Sequence, residues 1–347
     1  MNRAARFAPG VARPGAPAAG PPIRVAVVGT GEWWGRQHAE LFARRDDTSL
    51  VAVVGRDPGR TAARAAEAGT RGYIDLEEML DRERPDLVSV CLPNEGHFEP
   101  TLRLVRAGVP LLLEKPLVFA LEEADTLIAE AAARKAFIGI NFNHRYAKPV
   151  RLAAAAIARG DLGRLAFATW RFGGEAGTSR HPHANLIETQ CHGLDMLEHL
   201  CGPITSVMAQ AADPSGNGWT TLVVAVQFGN GAVGSLVGSY DSSYAYADTH
   251  LVELNGTAGR VLIHDTVRRF SFQAAGDETA QVWQAGYFND IDRDFHATFD
   301  SHVDDLLSAL RDGRDPPVPM AAGRRALLLA TAVIRSFETG LRVSTPQ

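Results

Sequence analysis

Residues 23–38, IRVAVVGTGEWWGRQH, decide the fold. The first six form a β-branched apolar run that stops at Gly29-Thr30-Gly31, and a helical pattern then continues through His38, Leu41 and Phe42. A second apolar run covers residues 50–54. Strand, glycine-rich turn, helix and strand in this order present backbone N–H groups and a helix N-terminus to a dinucleotide pyrophosphate. The spacing departs from Gly-x-Gly-x-x-Gly, because Gly35 comes one residue late and Trp34 stands in the third glycine's place. The competing reading is an ordinary βα turn, and in either reading Trp33 and Trp34 are expected to pack rather than to form a platform for the cofactor.

The end of the second strand bears on which dinucleotide binds. An NAD site usually places an acidic residue there for the ribose 2′-hydroxyl, whereas this chain reads Val54-Gly55-Arg56-Asp57. Gly55 removes the carboxylate, and Arg56 offers a planar donor to a 2′-phosphate and to the adenine face. The reading leans towards NADP, with NAD left open through Asp57.

The pattern repeats. Helices are predicted over 61–68 and 76–81, a buried strand over 86–92 ending at Pro93-Asn94, a helix over Phe98–Ala107 and a strand over 109–113. Alternating strands and helices predict a doubly wound parallel Rossmann sheet with its ligand at the strand C-termini. Gly29, Gly31, Arg56, Pro93, Asn94, His97, Glu114 and Lys115 then share the cofactor edge. Lys115 is conspicuous, because it interrupts the apolar run LLLEKPLVF at 111–119 and is one of only three lysines, with Lys135 and Lys148, among 35 basic residues. A buried ammonium costs several kcal/mol unless it is paired, so Lys115 is expected either to be compensated by Glu114 or to have a use as a deprotonatable donor.

Beyond residue 145 the texture changes to an alanine-rich helix at 150–159 and then alternating runs at 165–172, 220–228, 232–240, 249–254 and 260–264. These predict an α+β domain with a large, open, mostly antiparallel sheet, whose free face a second copy would cover. A chain of 347 residues with 46% hydrophobic composition fills two cores. Five prolines among Ala, Gly and Arg make residues 1–22 a predicted disordered tail without a secretory or twin-arginine signal. No apolar run approaches the ~20 residues that cross a bilayer. The net charge of -5, with no basic cluster, gives no footprint for nucleic acid. Cys191 and Cys201 would lie ~15 Å apart along one helix, too far to bridge, so the thiols and Cys91 read as reduced and the protein as cytoplasmic.

Leu92-Pro93-Asn94 with His97, then Glu114-Lys115-Pro116, then Asn141-Phe142-Asn143-His144-Arg145-Tyr146, resemble the Gfo/Idh/MocA oxidoreductases, from residue 23 to Phe337-Glu338-Thr339-Gly340. The resemblance implies a cofactor domain over 23–141 and a substrate and oligomerisation domain over 142–347, assembled as a dimer or tetramer. It implies that Lys115 lies beside the nicotinamide and hydrogen-bonds the reacting hydroxyl or carbonyl. Glu114 would neutralise and orient the lysine, Pro116 would fix the turn, and Trp34, Gly35, Asn143 and Arg145 would complete the cofactor side.

In the segment HPHANLIETQCHGLDMLEHLCGP, helical spacing over 185–200 puts Glu188, His192 and Asp195 on one face. Alone, that is an exposed Glu-His-Asp row. The family's Asp-x-Gly-x-His-x-x-Asp pattern is matched by His192-Gly193-Leu194-Asp195, with Glu188 and Gln190 replacing the first Asp and the Gly. The resemblance then implies His192 as base, Lys115 as second hydrogen bond and positive charge, and Glu188 and Asp195 as groups that orient His192 or bind neighbouring hydroxyls. Arg145, Tyr146, Arg171, Arg180 and His183 would line the substrate side. No metal is expected, since His181, His183 and His192 lack zinc-site spacing. The expected activity is an NAD(P)-dependent dehydrogenase or reductase of a secondary hydroxyl or ketone in a sugar, sugar derivative or cyclitol. The alternatives are a sugar- or cofactor-sensing regulator on the same fold, disfavoured by the presence of Lys115 and His192, and a reductase of a non-sugar carbonyl such as biliverdin or of a dihydrodiol.

Overall fold

The computed structural model describes residues 20–93, 96–175 and 181–346, so most of the expected tail, Asn94 and Arg180 lie outside the described residues. β1 (Ile23–Val28) buries every residue except Arg24, as a strand covered on both faces must. It leads through the glycine turn to α1 (Trp34–Ala43) and β2 (Thr48–Val54). α2 (Pro58–Ala68) starts with Pro58 in its first turn and an Asp57 cap, and is followed by β3 (Arg71–Tyr73) and α3 (Leu76–Glu83). β4 (Leu87–Val90), α4 (Phe98–Ala107), β5 (Leu111–Leu113), α5 (Leu121–Arg134) and β6 (Ile138–Ile140) complete the first half. The six strands pair in parallel in the order β3-β2-β1-β4-β5-β6, which puts the switch of direction between β1 and β4.

A 3-10 turn (Asn143–Tyr146) and α6 (Lys148–Ala158) lead to β7 (Leu165–Gly173), a π-turn (Asn185–Thr189) and α7 (Cys191–Cys201). Then come β8 (Ile204–Ala212), β9 (Thr221–Phe228), β10 (Val233–Ser239), β11 (His250–Gly256), β12 (Gly259–His264), β13 (Arg269–Ala274) and β14 (Gln281–Gln284). The chain ends with α8 (Asp290–Arg293), α9 (Ala297–Arg311), α10 (Met320–Thr339) and β15 (Val343–Ser344). The second sheet has nine strands in the order β14-β13-β12-β11-β7-β10-β9-β8-β15, antiparallel except for the β7–β10 pair. Alternation is clean in β9, where Leu222, Val224, Val226 and Phe228 are buried beneath the helices.

Two late helices join the halves. α9 inserts Phe299, Val303, Leu306 and Leu307 into the cluster formed by Ile23, Val25, Val27 and Phe42. Burying each such side chain contributes roughly 2 kcal/mol. α10 touches α5 and β6 on one side and α7 and β8 on the other. The end of β6 and the 3-10 turn are thereby held between the two sheets. No described helix is long and apolar enough to cross a membrane, and the three cysteines are free and buried.

Candidate active site

At the cofactor edge Gly29 has φ +132°, and a side chain there would come within 2.4 Å of the Cys91 carbonyl oxygen. A Cβ on Gly35 would stand 2.7 Å from the Gly29 oxygen, so the late glycine still provides the close helix–turn approach. A Cβ on Gly31 would point into open space with nothing within 4 Å, which leaves room for a phosphate. α1 has no side-chain cap and no acidic residue in its first turn, and its free N–H groups suit an anion. Trp34 is half-buried and edge-on to His38, and Trp33 is 55% exposed.

A Cβ at Gly55 would meet Thr30 Oγ1 at 2.4 Å and Thr61 Oγ1 at 2.6 Å, so no acidic side chain fits at the strand end. Arg56 is exposed beside it. Asp57 Oδ1 accepts the Arg60 N–H at 2.7 Å as the cap of α2. These residues fit a dinucleotide.

His97 lies between two turns rather than open to solvent. Its Nε2 is 2.8 Å from the Leu117 carbonyl and its Nδ1 3.3 Å from the Pro93 carbonyl, which ties the β4–α4 turn to the segment after Lys115. Pro93 itself is exposed.

Lys115 follows β5, precedes a cis bond to Pro116 and is half-buried. Its ammonium donates to the Glu188 carbonyl at 3.0 Å. Glu114 meets that ammonium through charge rather than a hydrogen bond: Oε2 accepts the Lys115 backbone N–H at 3.3 Å, and Oε1 lies 3.0 Å from His38 Nε2 and 2.6 Å from Asn141 Nδ2. Burial pushes the Glu114 carboxyl up, but His38, the Lys115 charge and Asn141 outweigh it, and it titrates below the usual range.

The expected single helix over 185–200 is broken. Gln190 ends the π-turn because its side chain is tied elsewhere, accepting from Trp170 Nε1 at 3.0 Å and donating to Asn185 Oδ1 at 3.1 Å. Glu188 therefore rides on the π-turn, while His192 and Asp195 belong to α7. Asp195 does not orient His192, because both its oxygens receive Arg145, from Nε at 2.8 Å and Nη2 at 2.5 Å. Arg145, expected on the cofactor side, is engaged by Asp195. The pair clamps the 3-10 turn to α7, so that His144 stacks on His192 with ring centroids 4.2 Å apart. Burial raises the Asp195 carboxyl, Arg145 pulls it down, and the net direction is up. Asn143 donates to Thr298 Oγ1 at 2.8 Å. Tyr146 stacks on His302 at 4.7 Å, and Arg171 is exposed and donates to the Asp248 carbonyl at 2.7 Å. His183 lines a separate apolar hollow with Leu186, Trp219 and Phe337.

Burial, then His144, Lys115 and His250, hold the His192 imidazole well below 6.5, and burial and Lys115 bring His144 down to about 3. Both rings are neutral at pH 7. Among the described residues, Nδ1 of His144, Nδ1 of His192 and Oε1 of Glu188 are buried without a hydrogen-bond partner. His38, Asn141, His144, His250 and His302 carried no functional signal in the sequence, although Asn141 and His144 stood inside a quoted motif.

Residues 23–142 match the oxidoreductase family model described as an NAD-binding Rossmann fold, and residues 155–345 match the model of the same family's C-terminal alpha/beta domain. The chain belongs to the Gfo/Idh/MocA oxidoreductase family. This Gfo/Idh/MocA protein is 24% identical over 339 residues to the myo-inositol 2-dehydrogenase of Thermotoga maritima, covering 91% of this chain and 96% of the relative. It is 32% identical over 151 residues to the D-glucoside 3-dehydrogenase of Escherichia coli, a match that spans 43% of each chain. The solved structure of levoglucosan dehydrogenase with NADH and levoglucosan superposes with a TM-score of 0.84 at 20% identity, over 94% of this chain and all of that one, a likeness of fold. The family membership makes the chain an oxidoreductase of the sugar and cyclitol dehydrogenase family with an NAD-binding domain.

Proposed function

We propose that the protein moves a hydride between a nicotinamide and a secondary hydroxyl, or the corresponding ketone, of a sugar or cyclitol, with Lys115 and His192 managing the proton. The observation that carries this reading is the group of buried unpartnered atoms on Glu188, His144 and His192, together with the Lys115 ammonium, whose one hydrogen bond goes to the Glu188 carbonyl. Buried polar atoms nearly always have partners, and a ligand rich in hydroxyls supplies them. When bound, the nicotinamide accepts or supplies the hydride. An ammonium has three donors, so Lys115 keeps its bond to the Glu188 carbonyl and still steadies a reacting oxygen. His192, neutral and unpartnered at Nδ1, receives the hydroxyl proton. The burial that weakens it as a base makes its imidazolium a strong acid, which favours return of the proton in the reverse direction. Oε1 of Glu188 is free to accept from a neighbouring hydroxyl.

Gly55 without room for a side chain, Asp57 spent as a helix cap and Arg56 exposed at the strand end favour NADP. Titration with NADPH and NADH, read by energy transfer from the five tryptophans, is expected to show tighter NADPH binding. Arg56→Ala should erase about tenfold of the preference, the worth of one charge-assisted hydrogen bond. NADH binding as tight as NADPH would overturn this assignment and leave the reaction untouched.

Met208, Val223 and Val233 are 46%, 48% and 54% exposed, and strand register places them on the sheet face opposite the helices. A second copy covers that face in this reading. Sedimentation of the purified protein as a monomer at micromolar concentration would contradict it.

A further inference from the structure

Beneath Lys115 runs a line of polar side chains that reaches the cleft only at Glu114. Ser89 Oγ on β4 lies 2.8 Å from His38 Nδ1 on α1, and His38 Nε2 lies 3.0 Å from Glu114 Oε1. The same carboxylate oxygen accepts Asn141 Nδ2 at 2.6 Å, and Asn141 Oδ1 lies 2.9 Å from His302 Nδ1 on α9. Ser89, His38 and His302 have no exposed surface, and Asn141 is 2% exposed. β4, α1, α9 and the segments just after β5 and β6 meet in this one chain of contacts.

Proton positions follow from the donor inventory. An ionised Glu114 only accepts, so His38 must carry a hydrogen on Nε2 and Asn141 must turn its amide nitrogen towards the carboxylate. The Asn141 oxygen then faces His302, whose Nδ1 has to be the donor. Every movable hydrogen around Glu114 points at it. Rings fix the two ends, since Phe299 lies 4.5 Å from His38 and Tyr146 stacks on His302. Phe299 and His302 both come from α9, the helix that returns to the first sheet.

We propose that His38, Asn141 and His302 are positioning residues for the reaction: through Glu114 they fix the place and charge of Lys115. A carboxylate buried without such donors takes up a proton. Glu114 would then lose the negative charge next to the ammonium, and its Oε2 would lose part of its hold on the Lys115 backbone N–H. This inference rests on the role given to Lys115 above, but it has a test that needs no substrate.

The groups that face Lys115 are Glu114, the Glu188 carbonyl, His144, His192 and Cys191. Those that face Glu114 are His38, Asn141 and Lys115, with Cys91 and His302 within electrostatic range. Only three lysines exist, and Lys135 and Lys148 are exposed, so labelling lysine Cε with carbon-13 gives three NMR signals with two internal controls. Lys115→Ala identifies the third.

The expected result is a Lys115 titration midpoint lower than wild type by about one pH unit in Glu114→Gln, the size of one adjoining charge. His38→Leu should move it in the same direction. His38→Gln, which keeps a donor where Nε2 stood, should leave it near wild type. On any substrate turned over, the alkaline limb of kcat should follow the same order, with the cofactor Kd unchanged within about threefold. Unmoved midpoints in both Glu114→Gln and His38→Leu would overturn the inference. If His38→Leu does not fold, His38→Gln decides, and a shift as large as that of Glu114→Gln would overturn it. A protein that oxidises no sugar still yields the titration, so the two ideas fail separately.

Discussion

Lys115→Ala lowers kcat by about 10³-fold on whichever sugar or cyclitol the wild type oxidises, and leaves cofactor affinity within about threefold. The size follows from removing one proton-handling group together with the charge that steadies the developing alkoxide. Cofactor binding is spared because the glycine turn, Gly55 and Arg56 are on other strands. The substitution also frees the Glu188 carbonyl, which Lys115 holds at 3.0 Å, so a control is required. Lys115→Arg provides it, keeping a cation and a donor for that carbonyl while losing the compact ammonium. It should retain the wild-type melting temperature and still lose most of the turnover. Wild-type turnover in either variant, measured at saturating substrate, would remove Lys115 from the chemistry.

Stability should fall steeply as the pH drops from 6.5 towards 4. His144, His192, His250 and His302 are each less than a tenth exposed, and burial is the first cause that depresses every one of them, to about 3 for His144 and His302. In the unfolded chain these imidazoles take a proton near pH 6.5. Below that pH the unfolded state binds more protons than the folded one, so stability present above 6.5 is lost as pH falls through the window down to the folded values. Each ring removes up to about 1.4 kcal/mol per pH unit in that window. The lowered Glu114 carboxyl acts in the same direction only from its ordinary carboxylate value downward, so above that value the histidines act without it. Urea midpoints at a series of pH values test this, and His250→Phe, which keeps a ring against Trp170 and Phe172, should reduce the slope by one imidazole's share. A midpoint constant from pH 7 to 5 would show that the histidines are not held neutral by the fold.

What the sequence made legible was local. β1, the glycine turn and α1 follow from a β-branched run and spacing alone, and even the late Gly35 keeps the function of the glycine it replaces. Lys115 stood out because an ammonium in an apolar run demands an explanation. Pairings across long stretches of chain were not legible. Arg145 takes both oxygens of Asp195 from 50 residues away, and His38 takes Glu114 from 76 residues away, partners that no local pattern indicates. The π-turn arises because Gln190 is tied to Trp170 and Asn185, and helical periodicity carries no sign of that. α9 and α10 join the first sheet through tertiary packing, to which a local pattern is blind.

The most direct test is to incubate the wild-type protein with NADP and with NAD, each with a panel of cyclitols, aldopyranoses and anhydrosugars, and to follow the reduced nicotinamide by absorbance. The account predicts reduction with at least one hydroxyl-rich ring and none in Lys115→Ala. Tight cofactor binding with no reduction on any of them would contradict it, and the site would then be read as one that senses its ligand.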